Sequence, residues 1–234
     1  VEADPGGIGC GDHGPHRIGG GRSAKELNRV DRAPDQKAVE RAQLVLGSAS
    51  PRRRQLLELL GLQFRVVPST IDESSKPDED PKAFALRTAR AKALDVAEAH
   101  PGALVIGADT VVEIDGRILG KPGSNEAAIK MLRDLAGRSH FVHTAVALAR
   151  GNEIHDLVDT AKVTMAECDE RVLRWYVATG EPLDKAGGYG IQGKAGVLVT
   201  GIEGSPHTVV GLPIHRLPEI FSRLRLDFWA ALAP

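Results

Sequence analysis

The stretch Leu44-Val45-Leu46-Gly47-Ser48-Ala49-Ser50-Pro51-Arg52-Arg53 reads as a buried strand that turns directly into a helix. The three apolar residues predict a short strand. Ser50 is a good N-cap and Pro51 suits the first helical position, so Arg52 and Arg53 fall in the first turn. Positive charge there opposes the helix dipole by roughly 0.3–1 kcal/mol per exposed residue. A bound phosphate reverses that sign, because free N–H groups, the dipole and two guanidinium groups then all face negative charge. The stretch thus predicts an α/β fold and an anion site inside it.

From Leu44 onward strands and helices alternate, the pattern of an α/β layer architecture. The first helix is expected from Pro51 to about Leu60, ending at Gly61, followed by a strand at Phe64–Val67 and a polar loop from Ser69 to Pro81. Ala83–Ala99 is predicted to be a helix with Leu86, Ala89, Ala93 and Ala97 along one face and Lys92 on the flank of that stripe. Ala103–Gly107 reads as an apolar strand ending at Ala108-Asp109-Thr110, with a hairpin over Val111–Ile114, Asp115-Gly116 and Arg117–Leu119. A helix at Glu126–Leu135, strands at Val142–Ala149 and Asp156–Met165, and a helix at Asp169–Thr179 capped by Gly180 follow. A glycine-rich turn region, Gly187–Gly196, a strand at Val197–Ile202 and a helix near Leu217–Leu224 complete the pattern. Met131, Trp175 and Trp229 read as packing residues.

The chain has 234 residues, 42% hydrophobic and 26% charged, enough for one well-packed domain or two lobes around a cleft. Its formal net charge of −1 argues against a nucleic-acid polymer as partner, since a coat for one needs a basic face; a small anion held locally fits better. Two cysteines, Cys10 and Cys168, are too few for a disulfide framework, and a reducing cytoplasm is the default expectation. No apolar run approaches a membrane span, so no membrane partner is expected.

Residues 1–42 differ from the rest, with glycines crowding the first half, mixed charges in the second and few large apolar side chains. The composition predicts a disordered N-terminal extension, with the folded domain over 43–234. Cys10, His13 and His16 lack a fourth partner for a zinc site. Val1 in place of Met suggests that the working protein begins near Gln43; N-terminal sequencing of the native protein that finds the extension would refute this.

Asp109 directly follows an apolar strand, and in open α/β sheets ligands gather beyond the carboxyl ends of strands. A carboxylate there can hold a metal, orient a water or cap a turn. Glu73, beside Asp72 in the polar loop, belongs to a separate segment, the usual arrangement for hard ligands to a magnesium ion carried on phosphate. Lys92 and Lys121 are candidate phosphate clamps, with plain surface lysines the alternative; Pro122 keeps Lys121 in an extended segment. In Glu181-Pro182-Leu183-Asp184-Lys185-Ala186-Gly187-Gly188-Tyr189-Gly190-Ile191-Gln192-Gly193 the glycines permit close backbone approach, and Gln192 offers a donor and an acceptor to a nucleobase edge. No G-x-S-x-G, H-E-x-x-H, Walker or paired C-x-x-C motif is present.

In order along the chain, G-S-A-S-P-R-R at 47–53, Asp72-Glu73, A-R-A-K-A at 89–93, G-A-D-T at 107–110, G-K-P at 120–122, E-P-L-D-K-A-G-G-Y-G-I-Q-G at 181–193 and V-V-G-L-P at 209–213 resemble the motifs of the Maf family of nucleoside triphosphate pyrophosphatases. The resemblance spans residues 44 to about 226. It implies a two-lobed α/β fold with a long mixed sheet and a cleft, similar to the inosine triphosphate pyrophosphatases. It also implies cleavage between the α and β phosphates, a divalent metal cation (Mg2+ or Mn2+) and a homodimer. By motif, Asp109 resembles the proton acceptor and Glu73 a metal or water ligand, with Asp109 also at the metal. Ser48, Arg52, Arg53, Lys92 and Lys121 resemble the phosphate cradle. Arg52, Thr110 and Gln192 resemble the dTTP- and UTP-preferring subgroup rather than the 7-methyl-GTP one, and 5-modified analogues are expected to fit. The rival of another class is a nucleotide-binding regulator of septum formation and cell division; the carboxylates Asp109 and Glu73 favour an enzyme.

Overall fold

A computed structural model of the protein describes residues 43–232. The expectations for residues 1–42, including those for Cys10, His13 and His16, lie outside the described residues. The described chain runs β1 (Leu44–Leu46), α1 (Pro51–Leu59), β2 (Arg65–Val66), α2 (Pro81–Ala99), β3 (Leu104–Ile114) and β4 (Arg117–Leu119). It continues through α3 (Asn125–Leu135), β5 (Ser139–Arg150), β6 (Glu153–Met165), α4 (Glu170–Val177), β7 (Val199–Glu203), α5 (Pro206–Val210) and α6 (Leu217–Arg223). One seven-stranded mixed sheet has the order β2-β1-β3-β5-β6-β7, with β4 also paired to β3. β1 is parallel to β2 and β3; the remaining pairs are antiparallel. The α/β mixed-sheet expectation is borne out, and the strand, turn and helix read from residues 44–53 stand where the sequence placed them.

The course of β3 differs from the sequence expectation. The segment read as a strand ending before Asp109 and a separate hairpin arm is a single eleven-residue strand, β3, with Asp109 in its interior. Pairing along its two edges explains why the shorter reading failed. On one edge β5 pairs with β3 from Leu104 to Glu113. On the other, β1 pairs only at Leu104, Val105 and Ile106, and β4 only at Val112, Glu113 and Ile114. Between those partners the stretch 107–111 has no strand beside it on that edge. The rule that ligands gather where strands end therefore applies to β1, which stops at Leu46, while its neighbour carries Asp109 onward past the opening.

Side chains alternate across β3. Leu104, Ile106 and Ala108 join a core formed with Leu56 and Leu57 of α1 and Ile220 and Phe221 of α6. On the same face Val112 and Ile114 join a second core with Leu132 and Leu135 of α3 and Leu173 and Tyr176 of α4. Thr110 lies between the two. Val105 and Val111 face the other way, into a layer made mostly of alanines: Ala85, Ala89, Ala93 and Ala97 of α2 against Ala145, Ala147 and Ala149 of β5. Small residues on both sides bring helix and sheet close, and Gly107 permits the closest approach. A Cβ at Gly107 would collide with the Ala89 carbonyl oxygen and stand 2.7 Å from the Ala93 amide nitrogen. Both obstacles are helix backbone, so relief requires α2 to move. Gly107→Ala is expected to cost about 2–3 kcal/mol of stability, the upper range for overpacking, with parallel loss of activity. Urea denaturation measures it, and a cost below about 0.5 kcal/mol would show that α2 is not held this tightly.

Two tryptophans depart from expectation. Trp175 is 49% exposed and Trp229 67% exposed, so neither is a core residue. The buried aromatic of α4 is its neighbour, Tyr176. The Asp115-Gly116 hairpin is confirmed, with positive φ at both residues and Ile114 opposite Arg117.

His140 of β5 is buried, its Nε2 2.7 Å from the Tyr189 hydroxyl. Burial lowers its pKa to about 4. The unfolded chain takes up a proton near pH 6.5 and the folded one does not, so the stability held above pH 6.5 is lost as pH falls toward 4. The difference amounts to about 3 kcal/mol. Denaturation between pH 7 and 4.5 should show this slope and His140→Leu should flatten it; an unchanged slope in the variant would assign it to other groups.

Candidate active site

The N-terminus of α1 opens beside the unpaired edge of β3. Ser50 has the backbone of an N-cap but makes no side-chain cap bond. Its N–H instead donates to Ser48 Oγ at 3.3 Å. Arg52 and Arg53, adjacent in sequence, do different things. Arg52 is partly exposed and lies 3.9 Å from Asp184 Oδ2. Arg53 is only 8% exposed and fans its guanidinium across the opening. Nε donates to the Gly211 carbonyl at 2.8 Å, Nη1 to Ser48 Oγ at 2.9 Å and Nη2 to Thr110 Oγ1 at 3.1 Å. A guanidinium has five N–H donors, so Arg53 ties three segments together and keeps donors in reserve. Thr110 is held from behind, 3.1 Å from Thr144 Oγ1, which in turn donates to the Thr208 carbonyl at 2.7 Å.

On the other face of β3, Lys92 reaches across from α2. Its Nζ is 2.8 Å from Asp109 Oδ1 and 2.8 Å from Glu73 Oε2. Lys92 and Asp109 are 5% and 7% exposed. Glu73 is half exposed on the loop before α2, and that loop is pinned to the helix because Asp95 Oδ2 accepts from Ser69 Oγ at 2.7 Å and from the Thr70 N–H at 3.1 Å. Burial raises the Asp109 carboxyl above its ordinary pKa, while the nearby Lys92 and Arg53 charges oppose that shift. A buried carboxyl drawn toward neutrality and held by one ammonium can exchange a proton with a bound water.

These groups line one cleft of about 350 Å³, with Ser48, Arg52, Arg53, Glu73, Lys92, Asp109, Thr110, Lys121 and Gln192 all on its wall. The structure thus gathers every site residue the sequence singled out. Arg52 and Arg53 come from α1, Lys92 from α2, Asp109 from the middle of β3, Glu73 from the loop before α2 and Lys121 from the segment after β4. Val112, Val142, Tyr189 and Ile191 belong to the same lining, Ile191 next to Gln192 in the chain. The sequence reading missed three kinds of lining residue. Asp184 was visible as an acid near Gln192, but its proximity to Arg52 was not. Val112 and Val142 read as ordinary strand residues, and Tyr189 reads as one more residue of a glycine-rich turn. No cluster of three or more His, Cys, Asp or Glu with metal-binding geometry occurs among the described residues. No helix among them is long and apolar enough to cross a membrane.

Residues 43–224 match the family described as Maf-like protein. A dTTP/UTP pyrophosphatase of Symbiobacterium thermophilum is 45% identical over 181 residues, covering 77% of this chain and 93% of that protein. One of Moorella thermoacetica is 48% identical over 190 residues, covering 80% and 98%, and one of Myxococcus xanthus 48% identical over 189 residues, covering 80% and 96%. Among solved structures, a HAM1 protein from Coxiella burnetii aligns with a TM-score of 0.42 at 16% identity, covering 78% of this chain and 99% of that one.

Proposed function

The chain belongs to the Maf-like protein family, and from that premise we propose that it is a nucleoside triphosphate pyrophosphatase acting on dTTP and UTP. The products are the nucleoside monophosphate and pyrophosphate. The observation that carries this reading is the Lys92 ammonium shared by Asp109 and Glu73 beside the helix N-terminus that presents Arg52. A pure nucleotide sensor needs cations for the phosphates. It has no need of a buried carboxylate whose proton affinity is raised.

In the proposed reaction Asp109 accepts a proton from water as the water oxygen attacks the α phosphorus. The bond from that phosphorus to the bridging oxygen breaks, and the oxygen leaves with the electron pair in pyrophosphate. Arg52, Lys121 and the free N–H groups of α1 spread the charge of the triphosphate, which is about four negative charges near neutral pH. Lys92 holds Asp109 and Glu73 in register. Arg53 acts mainly by fixing Ser48, Thr110 and Gly211.

Glu73 and Asp109 also suit a divalent cation, Mg2+ or Mn2+. Their oxygens are hard donors from two separate segments, and magnesium commonly takes one or two carboxylates together with phosphate oxygens and water. Such a cation would neutralise phosphate charge and polarise the reacting phosphoryl group.

For the base, the cleft lining offers Gln192 together with the apolar Val112, Val142 and Ile191. Its amide can pair with the O4 and N3–H of thymine or uracil, whereas cytosine presents the opposite donor and acceptor order. Thr110, hydrogen-bonded by Arg53 and close to Thr144, and Arg52, 3.9 Å from Asp184, are the other two residues that resemble the dTTP- and UTP-preferring subgroup. Substituents at ring position 5 leave the paired edge free, so 5-modified analogues should be accepted. Pyrophosphate release with magnesium from dTTP, UTP, CTP, dCTP, GTP and 7-methyl-GTP tests the reading. Selective turnover of dTTP and UTP is expected; equal turnover of 7-methyl-GTP would overturn the base assignment.

A further inference from the structure

Gln192 lies on an exposed turn with a glycine on either side, Gly190 before Ile191 and Gly193 after. Such a turn fixes an amide only if something fixes the turn. The backbone hydrogen bonds of the turn are local ones, Gly193 N–H to the Gly190 carbonyl at 3.0 Å and Gly196 N–H to the Gly193 carbonyl at 3.0 Å. Two side chains outside the cleft wall supply the rest. The Gly190 N–H donates to the Tyr176 hydroxyl at 3.3 Å, and that hydroxyl donates to Glu181 Oε1 at 3.0 Å. The Lys194 N–H donates to Glu181 Oε2 at 3.0 Å. One carboxylate and one phenol therefore grip both ends of the five-residue segment 190–194 with Gln192 inside it.

The grip is anchored in turn. Tyr176 is 0% exposed in the core between α3 and α4, and burial pushes its phenol up, so the hydroxyl keeps its proton to donate. Lys185 Nζ donates to the Glu181 carbonyl at 2.8 Å and to Asp184 Oδ1 at 2.6 Å, which connects the same clamp to the acid beside Arg52. The carboxylate lies so close to the turn that a Cβ at Gly193 would overlap Glu181 Oε1 and stand 2.6 Å from Oε2. Gly193 has φ −105°, a region open to any residue, so space for the carboxylate is the specific demand for glycine there.

We propose that Tyr176 and Glu181 are positioning residues for base selection: they hold the turn that presents Gln192 and thereby set the preference for uracil and thymine over cytosine, without contributing to phosphate chemistry. The proposal rests on the reading of Gln192 as the base reader. Its test measures kcat and KM for UTP and CTP in the wild-type protein and in Glu181→Ala, Glu181→Gln, Tyr176→Phe, Gly193→Ala, Glu181→Ala with Gly193→Ala, and Gln192→Ala.

Glu181→Ala and Tyr176→Phe are expected to raise KM for UTP and lower the UTP/CTP ratio of kcat/KM, each about tenfold, with kcat for UTP within about twofold of wild type. Gly193→Ala should do the same by displacing the carboxylate, and the double variant should lose nothing more. Glu181→Gln, which keeps an acceptor, should recover most of the ratio. Should Glu181→Ala fail to fold, Tyr176→Phe, which keeps the ring in the core, decides alone. An unchanged UTP/CTP ratio in Tyr176→Phe overturns the proposal when Gln192→Ala does shift that ratio. An unchanged ratio in Gln192→Ala itself overturns the underlying base reading instead.

Discussion

Asp109→Asn is expected to lower kcat/KM for UTP by about 10²–10⁴-fold, the range for removing a positioned general base, while leaving the fold at least as stable. Asparagine keeps the shape and an oxygen for the Lys92 ammonium, now 2.8 Å from Oδ1, but cannot take the proton of water. The sign of the stability effect follows from the pKa. Burial raises the folded-state pKa of Asp109 above its unfolded value. The folded protein then binds this proton more tightly than the unfolded chain, so the ionised group costs stability at neutral pH. Removing the charge should leave Tm unchanged or higher. Activity lost together with a large drop in Tm would instead make Asp109 a structural member of the Lys92 network. Activity within tenfold of wild type would remove it as the base.

Lys92→Met is the second large effect. The substitution removes the cation between Asp109 and Glu73 and leaves a buried carboxylate in front of another. An uncompensated buried charge costs about 3–5 kcal/mol, and a carboxyl escapes that cost by taking up a proton. Arg53 remains close enough to favour the ionised form, but it is already committed to Ser48, Thr110 and Gly211. The Asp109 pKa should therefore climb further. The acid limb of the pH–kcat/KM profile is expected to move up by about one pH unit or more. At pH 7 the rate should fall by up to about tenfold for each unit the limb moves, with recovery at higher pH. A uniform loss with the limb in place would mean that Lys92 binds substrate without governing Asp109.

These effects converge on a site that local pattern described well and long-range pairing completed. The strand, turn and helix of residues 44–59 could be read because each signal there is local: three apolar residues, a capping serine, a proline. Lys92 could be placed on the flank of its helix because the alanine stripe fixes the helical phase. The course of β3 could not be read in the same way. Asp109 and Thr110 interrupt an apolar run and look like a strand end, but β5 holds them extended by ten consecutive pairs, with Ala145 and Thr144 opposite them from a later part of the chain. The division of labour between Arg52 and Arg53 was equally hidden, because Gly211, Thr110 and Ser48 meet only in the fold. A large apolar side chain carries no mark of whether a neighbour covers it, so the exposure of Trp175 and Trp229 is not legible in the sequence.

The proposed reaction places the water oxygen on the α phosphorus. Hydrolysis of UTP in 18O-enriched water, with mass analysis of both products, reads that directly. Attack at the α phosphorus predicts one labelled oxygen in the nucleoside monophosphate, none in pyrophosphate, and at least about a hundredfold slower product formation with Asp109→Asn. Label in pyrophosphate, or release of inorganic phosphate in its place, would contradict the account.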